Sequence, residues 1–550
     1  MSGSFRTVAD RLRDHARDFP GKAALIHPAG RLTFAELEFD TEAVAAGLVR
    51  AGLRPGDRTI VMMPVGADLA VLVLGLLKAG GVPIIVDPGM GLRRMLHCYR
   101  MVGAQAFVGV PVMHLLRRLR PRTFATVRTT VTTGRRWPWA AWSLRELARV
   151  AGRRGSFRPG PGDLVMISFT TGSTGAAKGV EFTYGSLEAT VRAATGSHGL
   201  TAADVCLVTS LPFMFLQLLT GATSVLPAID FRRVARADPA VVAATVAEHG
   251  VTALFASPAL LGPLARHLSV SGGSVPAAAG RRLASLRCVV SGGAPVSAGL
   301  VAALRGVIAE EGRVYATYGA TEATPIASIE SRELLRPGVR AAVESGAGVC
   351  VGAPIDGMAL RVVRVADTTP LSCIDVPVGE IGEIVVSGPV VSRRYLAPPD
   401  ANTTMKITED GTLWHRTGDV GRLDEHGRVW FCGRRADIVA TAAGPLYPVP
   451  CESILDVHED VLRTAIVPAP GADAAAVVCV ELQPGVAAGD FGRIAGELRE
   501  LAAAHEVTRG LTEFVRHPGF PVDVRHNAKI DRAALASRLA SSRPRRPRRD

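Results

Sequence analysis

The sequence Thr-Thr-Gly-Ser-Thr-Gly-Ala-Ala-Lys-Gly occupies residues 170–179. An apolar run at 164–169 precedes it and a second at 180–182 follows it, and both are typical of buried strands. The glycines and hydroxyls between these runs allow several backbone N–H groups to turn toward one point, which suits phosphate oxygens. The GxxxxGK[ST] spacing of the common NTPase loop is absent. The stretch therefore predicts a different phosphate-binding loop, and an ordinary Ser/Thr/Gly surface turn is the alternative. Three residues add side-chain donors: Ser173, Thr174 and Lys178.

The order of residues in this loop closely resembles the phosphate-binding signature of the acyl-adenylate-forming superfamily. That superfamily includes acyl-CoA synthetases, peptide-synthetase adenylation domains and luciferases. One difference is that Ala177 stands where the superfamily usually has proline. The resemblance implies ATP as a substrate and Mg²⁺ as a cofactor, with Thr174 as one ligand of the metal. It also implies that ATP contacts seven residues of the loop: Thr170, Thr171, Gly172, Ser173, Thr174, Gly175 and Lys178.

Two further motifs are similar to nucleotide-binding stretches of the same superfamily. Residues 288–297 run from an apolar strand into Ser-Gly-Gly-Ala-Pro-Val-Ser, where small residues allow a flat base to lie against the backbone. The superfamily places adenine there, which implies contacts with Gly293, Ala294 and Pro295. Residues 317–322 read Thr-Tyr-Gly-Ala-Thr-Glu. Within that motif Tyr318 and Gly319 are assigned to the nucleotide. Thr321 and Glu322 offer hard oxygens where Mg²⁺ would bridge phosphates, with Thr321 assigned to ATP and Glu322 to the metal and to catalysis.

The C-terminal third of the chain adds three candidate site residues. Asp419 follows a glycine in Trp-His-Arg-Thr-Gly-Asp-Val-Gly, and its carboxylate can accept both ribose hydroxyls. Arg434 follows a predicted strand at 429–432, and the resemblance implies that it reaches the nucleotide. Lys529 lies in a stretch at 520–532 that resembles the catalytic-lysine motif of the superfamily. An ammonium there would stabilise charge on the α-phosphate as pyrophosphate leaves, so Lys529 is assigned a catalytic role together with Lys178.

The acyl pocket is predicted from an aromatic cluster at 210–221, which we expect between a strand and a helix. In the superfamily the corresponding stretch lines the acyl site, which implies roles for Phe213, Met214 and Phe215, with Ala320 beside them. The alternative is that these side chains belong only to the core.

Length and composition predict an α/β protein with more than one domain. A chain of 550 residues exceeds a single core. The resemblance implies a large N-terminal AMP-binding domain of mixed sheets and helices at 1–432. A small, mobile α+β domain carrying the catalytic lysine follows at 433–540, and a basic disordered tail at 541–550. Helices are expected at 8–15 and 33–51, strands at 59–63 and 82–87, and an irregular, arginine-rich segment at 117–154.

The eight cysteines are widely spaced and form no CxxC pair, which argues against zinc and a disulfide scaffold and favours a reducing compartment. The N-terminus has no apolar signal region. Residues 67–86 are interrupted by Asp68, Lys78 and three glycines. We therefore expect a buried helix, turn and strand there, and no transmembrane segment. The predicted localisation is cytoplasmic.

The net charge of +13 is carried by arginine, because the chain has five lysines: Lys22, Lys78, Lys178, Lys406 and Lys529. In such a composition each lysine is informative, since a compact ammonium does chemistry that a guanidinium does not. The basic residues look dispersed apart from the cluster at 543–549, which is typical of a solvated tail. We therefore expect no nucleic-acid partner.

Two differences from the wider superfamily narrow the reaction. The hinge after Gly-Arg carries Ala436, with Asp437 one residue late, and residues 435–452 contain no lysine. This pattern does not favour delivery of a thiol by rotation of the small domain.

The stretches at 318–335, 432–434 and 520–530 together resemble the β-lactone synthetases of bacterial long-chain olefin and β-lactone biosynthesis. The resemblance implies a (2-alkyl-)3-hydroxy fatty acid substrate, whose own hydroxyl attacks the acyl-adenylate, and other enzymes of the same lipid pathway as partners. His415 and His526 are candidate bases for that hydroxyl, with structural roles as the alternative. Two other functions stay open: a long-chain acyl-CoA or acyl-AMP ligase, and a nucleotide- or nucleic-acid-binding protein without turnover.

Overall fold

The structure is a computed structural model that describes residues 5–86, 90–134, 138–149, 157–170, 177–270, 283–365, 373–471, 474–522 and 529–542. None of the helices formed by these residues is both long enough and apolar enough to cross a membrane.

Helices occur along the whole described chain. In chain order they are α1 Val8–Asp18, α2 Phe34–Arg50, α3 Ala67–Lys78, α4 Leu92–Val102, α5 Pro111–Leu119, α6 Leu144–Ala148, α7 Tyr184–Ser197, α8 Leu211–Thr220, α9 Pro239–Glu248, α10 Pro258–Val270, α11 Ala298–Arg305, α12 Ser331–Leu334, α13 Pro337–Glu344, α14 Asp400–Met405, α15 Pro448–Leu455, α16 Phe491–Ala503 and α17 Arg532–Ser542.

Strands alternate with these helices. In chain order they are β1 Ala23–His27, β2 Gly30–Thr33, β3 Arg58–Met62, β4 Val82–Ile85, β5 Ala106–Gly109, β6 Thr129–Thr132, β7 Trp142–Ser143, β8 Leu164–Thr170, β9 Lys178–Thr183, β10 Val205–Leu207, β11 Thr223–Val225, β12 Ala253–Ala256, β13 Cys288–Gly292, β14 Arg313–Ala320, β15 Ala323–Glu330, β16 Val349–Pro354, β17 Ala359–Val363, β18 Gly382–Ser387, β19 Tyr395–Ala397, β20 Lys406–Glu409, β21 Thr412–Leu423, β22 Val429–Arg434, β23 Val439–Thr441, β24 Gly444–Leu446, β25 Val461–Pro468, β26 Ala476–Leu482 and β27 Phe514–Arg516.

The largest sheet has the order β17-β18-β21-β22-β16-β15-β14-β13-β12-β10-β11-β1-β2, with β20 paired to β21. Strands β10 to β14 are parallel, and β14 turns back into the antiparallel strand β15. In an open parallel sheet, ligands bind beyond the carboxyl ends of the strands. The Gly-Gly-Ala-Pro motif follows β13 and the Tyr-Gly-Ala-Thr-Glu motif ends β14, so both motifs emerge from this edge at neighbouring positions.

The second sheet has the order β19-β9-β8-β4-β3-β5-β6-β7. Its hairpin β8–β9 carries the predicted phosphate loop, because Thr170 at the end of β8 pairs with Lys178 at the start of β9. Strand β19 is antiparallel to β9 and pairs Tyr395 with Val180. A segment more than 200 residues later in the sequence is thereby placed beside the loop.

The C-terminal part contains the hairpin β23–β24 and a sheet of β25, β26 and β27. Two apolar clusters cover this smaller sheet: α16 contributes Ile494 and Leu498 to one, and α17 contributes Leu535 and Leu539 to the other. The fold class is therefore α/β with large mixed sheets, as the sequence predicts. The domain boundary at 432/433 stays a prediction.

Several local expectations are confirmed. Thr33 caps α2 with a capping box, and the helix begins one residue after the predicted start. Residues 67–86 form the buried helix α3, a turn and strand β4. All eight cysteines are buried and free.

Two expectations on local structure are wrong. The aromatic cluster at 210–221 is itself the helix α8, with Pro212 in its first turn and Gly221 in the left-handed conformation after its end. The segment at 117–154 is largely regular in its described part, because it contains the end of α5, strands β6 and β7, and α6. Its strands are short, β6 is rich in threonine, and both strands extend the second sheet to its edge.

Candidate active site

The phosphate loop lies between two paired strands, as the apolar runs on either side of it predict. Thr171, Gly172, Ser173, Thr174 and Gly175 lie outside the described residues, and so does the predicted role of Thr174 as a metal ligand. Thr170 ends β8 at the base of the loop. On the other side, Ala177 packs against the apolar cluster beneath the second sheet, and Lys178 begins β9.

Lys178 shares an aromatic ring with a second lysine. The Nζ atoms of Lys178 and Lys406 each lie 5.4 Å from the centroid of the Tyr395 ring, within the range of a cation–π interaction. Lys406 also donates to the carbonyl and, over 3.2 Å, to the hydroxyl of Ser392. Two ammonium groups therefore lie close to the phosphate loop.

Tyr395 links this pair of lysines to Glu322. Its hydroxyl donates to Oε1 of Glu322 over 2.8 Å, and the backbone N–H of Ser392 donates to the Glu322 carbonyl over 2.7 Å. Burial opposes ionisation of Glu322, but the hydrogen bond from Tyr395 and the ammonium of Lys406 lower its pKa. The carboxylate is thus held ionised beside the predicted phosphate site.

The pKa values of Lys406 and His415 are both lowered, which favours the neutral form of each side chain. Burial lowers the pKa of Lys406 to about 7; Lys178 lowers it further and Glu322 opposes the change. Burial also lowers the pKa of His415 to about 3, and its Nδ1 lies 3.1 Å from the carbonyl of Met405. His415 is 1% exposed, and this burial favours a structural role. His526 lies outside the described residues.

Glu322 has the oxygen chemistry that Mg²⁺ prefers. No group of three or more His, Cys, Asp or Glu side chains that could hold a metal occurs among the described residues. A single carboxylate suits Mg²⁺, which in nucleotide sites is commonly held by one or two carboxylates plus phosphate oxygens and water. The residues present therefore fit Mg²⁺ that arrives with a nucleotide.

Asp419 forms the second polar centre. It is 3% exposed; its Oδ2 accepts a 2.6 Å hydrogen bond from the Tyr318 hydroxyl, and its N–H donates to the Thr417 hydroxyl. The Nε of Arg434 lies 2.9 Å from Oδ1, yet that oxygen has no hydrogen-bond partner of good geometry. A buried carboxylate oxygen with spare acceptor capacity is what a ribose hydroxyl requires. The pairing of Asp419 on β21 with Arg434 on β22 brings these two predicted residues together.

The adenine-site candidates lie beside Tyr318. Gly292 pairs with Thr317, and a Cβ on Gly292 would lie 2.8 Å from the Thr317 carbonyl, so the strands approach too closely there for a side chain. Gly293 has a φ of +88°, which favours glycine. Ala294 and Pro295 continue that turn. Tyr318 is buried, and its ring centroid lies 6.0 Å from that of Phe431. Its ring therefore does not present an exposed face on which a base could stack.

An apolar cavity lies between α7, α8 and strands β12 to β14. Its interior volume is about 70 Å³, and it is partly open to solvent. Phe213 lines it and stacks on Phe255 with ring centroids 3.5 Å apart. Met214 is fully buried in the core cluster formed with α1, and Phe215 packs against that cluster. Ala320 ends β14, and the turn after it leads to Thr324 and Pro325 in the cavity wall.

One wall of this cavity is polar. The Nε2 atom of His198 lies 3.3 Å from both the Thr317 and Ser328 hydroxyls, and those hydroxyls are 3.0 Å apart. Burial lowers the pKa of His198 to about 4, so this imidazole is neutral near pH 7. His198 lies outside all of the sequence motifs described above.

Lys529 is exposed and directly precedes Ile530, which bridges to Val522. The motif residues 523–528 lie outside the described residues. Arg532, three residues later, is half-buried and forms ion pairs with Glu452 and, at 3.5 Å, with Asp437. The segment after the predicted hinge is thereby attached to the start of α17.

Sequence reasoning missed Tyr395 and Lys406, which sequence position alone does not connect with the loop. One signal was available for Lys406, because it is one of five lysines in an arginine-rich chain. Lys22 and Lys78 have structural partners: Lys22 donates to the carbonyls of Ala202 and Gly221, and Lys78 pairs with two glutamates of α2. The other three lysines are the two beside Tyr395 and Lys529.

Comparison with known proteins gives consistent results along the chain. The AMP-binding enzyme family matches residues 12–396. The chain is 38% identical to the olefin β-lactone synthetase of Xanthomonas campestris, with 98% of each sequence covered. It is 37% identical to the olefin β-lactone synthetase of Stenotrophomonas maltophilia, with 96% of this chain and 97% of the relative covered.

Solved structures share the fold at lower identity. An amide bond synthetase from Marinactinospora thermotolerans superposes with a TM-score of 0.78 at 23% identity, covering 97% of this chain and 99% of that one. The o-succinylbenzoate coenzyme A synthetase of Bacillus subtilis, solved with ATP and magnesium ion, gives a TM-score of 0.73 at 21% identity, covering 96% and 98% of the two chains.

Proposed function

The chain belongs to the AMP-binding enzyme family, and from that premise we propose that it converts a long-chain 3-hydroxy fatty acid into a β-lactone at the cost of ATP. The observation that carries the proposal is the 37–38% identity, over nearly the whole chain, to two enzymes named olefin β-lactone synthetase. The substrate is a 3-hydroxy acid, with a 2-alkyl branch as the specific form that we propose.

The first step joins the fatty acid to AMP. A carboxylate oxygen of the acid attacks the α-phosphorus of ATP, the bond to the β-phosphate breaks, and pyrophosphate leaves with the bonding electrons. Lys178 and Lys406, on the shared Tyr395 ring, would face the triphosphate as counter-charges. Lys529 would act on the charge that develops at the α-phosphate. Mg²⁺, held by Glu322 with Thr174 as the second proposed ligand, would neutralise phosphate charge when bound.

The nucleoside would be oriented by the second polar centre. Oδ1 of Asp419 has the spare acceptor capacity for a ribose hydroxyl, and Tyr318 and Arg434 hold that carboxylate in place. The turn at 293–295 would receive the adenine, because it follows β13 directly beside Tyr318 and Gly319.

The second step closes the lactone. The 3-hydroxyl oxygen attacks the acyl carbon, the acyl–phosphate bond breaks, AMP leaves, and the hydroxyl proton is lost to a base. The hydroxyl belongs to the substrate itself, on the carbon two positions from the acyl carbon, so no second substrate is needed. The cavity lined by Phe213 would hold the apolar chain away from water.

A long-chain acyl-CoA or acyl-AMP ligase is the second candidate, favoured by the family membership alone. The segment at 435–452 contains no lysine, although a CoA-using enzyme must bind a polyanionic cofactor near its hinge. The hinge segment also has local ion pairs, since Arg435 lies 3.6 Å from Glu383 and Asp437 lies 3.5 Å from Arg532.

The test is the effect of CoA on AMP release. With a 2-alkyl-3-hydroxy acid and ATP, AMP release should have the same rate with and without CoA, and no thioester should form. Robust CoA-dependent turnover of a fatty acid that lacks the 3-hydroxyl would overturn the lactone proposal and support the ligase. A Lys529→Ala variant is the control for background hydrolysis of ATP.

A further inference from the structure

Residues 88–145 contain no aspartate, glutamate or lysine but eleven arginines. The charge of this stretch, +11, is most of the net charge of +13 of the whole chain. The basic residues are therefore concentrated in this stretch as well as at 543–549. A stretch of this length with only positive charges needs an explanation, because solvated surfaces normally mix both signs.

Helices α4 and α5 are the two longest helices of this stretch and lie against the same sheet. Phe124, in the turn after α5, packs between them: its ring centroid is 6.3 Å from that of Tyr99 on α4 and 5.5 Å from that of Phe107 on β5. On α5, the ring of His114 lies 5.0 Å from Phe107. These contacts fix the inner faces of α4 and α5, so their other faces point to solvent.

The outer face of α5 is apolar. Val112 is 59% exposed, Leu115 is 40% exposed and Leu119 is 66% exposed. Their spacing of three and four residues places them on one side of the helix, so they form a continuous strip. Leu92, at the start of α4, is 48% exposed. A soluble surface explains one such residue but not an aligned set.

Exposed arginines lie on the elements that carry this strip and on their neighbours. The side chains are contributed by α4, by α5 and by the turn that follows α5: Arg93, Arg94, Arg100, Arg118, Arg120 and Arg122. Arg118 stacks over the Trp139 ring at 5.9 Å, which directs its guanidinium along the surface. We name the strip and these arginines together the arginine face.

We propose that the arginine face docks the protein reversibly on an anionic lipid surface. An amphipathic helix with aliphatic residues on one side and arginines beside them is the arrangement that lies in a membrane interface. The aliphatic side chains enter the boundary between headgroups and acyl chains, while arginine side chains reach the lipid phosphates. The complete absence of acidic residues from 88–145 provides charge complementarity with a negative leaflet.

The chemistry of the face favours lipid over nucleic acid. Binding of single-stranded nucleic acid relies on aromatic side chains that stack on bases. The exposed apolar residues of this face are Leu and Val, which cannot stack in this way. An acidic protein surface would pair with the arginines, but it would provide no apolar partner for the aliphatic strip.

The test is co-sedimentation of the full chain with vesicles, without ATP or fatty acid, so that its result is independent of the proposed reaction. Binding is expected to vesicles of equimolar phosphatidylcholine and phosphatidylglycerol and to be much weaker on phosphatidylcholine alone. The double variant Arg118→Glu/Arg122→Glu should weaken binding about tenfold or more, and added salt should weaken that of the wild type. The double variant Leu115→Ser/Leu119→Ser should also lose binding.

Matched controls come from other exposed surfaces. Phe39, on α2, is 73% exposed, so Phe39→Ser removes an exposed apolar side chain outside the face. Arg509 is exposed in the C-terminal part, so Arg509→Glu reverses a charge there. Both should bind vesicles as the wild type does. Circular dichroism of every variant checks that the fold is retained.

Three results would overturn the proposal: no vesicle binding by the wild type, equal binding to both vesicle types, or face variants that bind as the controls do. In the first case, a change of oligomeric state in the Leu115→Ser/Leu119→Ser variant would identify the face as a protein interface instead.

Discussion

The hydroxyl of Tyr318 donates a 2.6 Å hydrogen bond to Oδ2 of Asp419, across 101 positions of sequence. Both residues are buried, and the second carboxylate oxygen of Asp419 keeps acceptor capacity. The bond therefore links the motif at the end of β14 to the motif on β21. It orients a carboxylate that we assign to the ribose.

Removal of this bond should weaken nucleotide binding. In Tyr318→Phe the Asp419 carboxylate loses a charge-assisted hydrogen bond and its fixed orientation, so we expect ATP affinity to fall by about 1.5–3 kcal/mol. The measurement is calorimetric titration with ATP. Tyr184→Phe is the matched control, because its buried hydroxyl bonds the Leu77 carbonyl over 2.9 Å, away from the site residues. If both variants bound ATP as the wild type does, the assignment of Asp419 to the ribose would fail.

The ionisation of Lys406 should make ATP binding depend on pH. Burial lowers its pKa to about 7, so the ammonium is present below pH 7 and is lost as pH rises above it. The charged form attracts the triphosphate, while Lys178 disfavours it and Glu322 favours it. We expect the ratio of wild-type to Lys406→Met affinity for ATP to fall roughly five- to tenfold between pH 6 and pH 8.

ATP itself also titrates in this pH range, but it does so equally in both measurements. The ratio of the two affinities therefore reports only the contribution of Lys406. Lys22→Met serves as the control, because the Lys22 ammonium bonds the Gly221 carbonyl over 2.6 Å and lies on the N-terminal side of the fold. A constant wild-type to Lys406→Met ratio across this pH range would show that Lys406 does not contribute charge to the nucleotide site.

The sequence predicted the features of this site that depend on neighbouring residues, but not those that depend on contacts between residues far apart in the chain. The hairpin at 164–183 followed from two local apolar runs, and α2 from the helical pattern at 33–51. These signals are carried by neighbouring residues, so a single sequence contains them. The pairing of β19 with β9, which places Tyr395 beside Lys178, depends on long-range strand order that no local pattern encodes.

The errors have a similar cause. Leu211–Thr220 contains a proline, which disfavours a helix interior, yet Pro212 occupies the first helical turn, where its missing N–H costs nothing. The residues at 117–154 looked irregular because the strands there are short and polar at an edge of the sheet. The arginines of 88–145 are spread along the sequence, but the fold brings those of α4 and α5 to one side of the second sheet.

The cavity beside α8 gives a third prediction. Phe213→Ala removes the ring that stacks on Phe255, so apolar contact with an acyl chain should be lost. We expect KM for the fatty acid in pyrophosphate exchange to rise about tenfold, with ATP affinity unchanged. Phe215 lies two residues later on the same helix and packs against the core, so Phe215→Ala should lower the melting temperature but leave KM unchanged. Equal KM values for the two variants would exclude this cavity as the acyl site.

Lys529→Ala is predicted to stop adenylate formation while ATP still binds. The ammonium acts on charge that develops as pyrophosphate leaves, not on the adenine or ribose, so the exchange rate should fall by about 100-fold or more. Lys529→Arg keeps the charge in a different geometry and should retain part of the rate. Exchange at the wild-type rate in Lys529→Ala would show that the catalytic lysine is misassigned.

The most direct measurement is the mass of the product formed from a 2-alkyl-3-hydroxy acid and from its analogue without the 3-hydroxyl, each with ATP and in the presence of CoA. The account predicts that the hydroxy acid gives a product lighter than the acid by one water, with AMP released and no CoA adduct. It predicts that the analogue stalls as its adenylate. A CoA thioester from either acid, or hydrolysis of the hydroxyacyl-adenylate back to the free acid without loss of water, would contradict β-lactone formation.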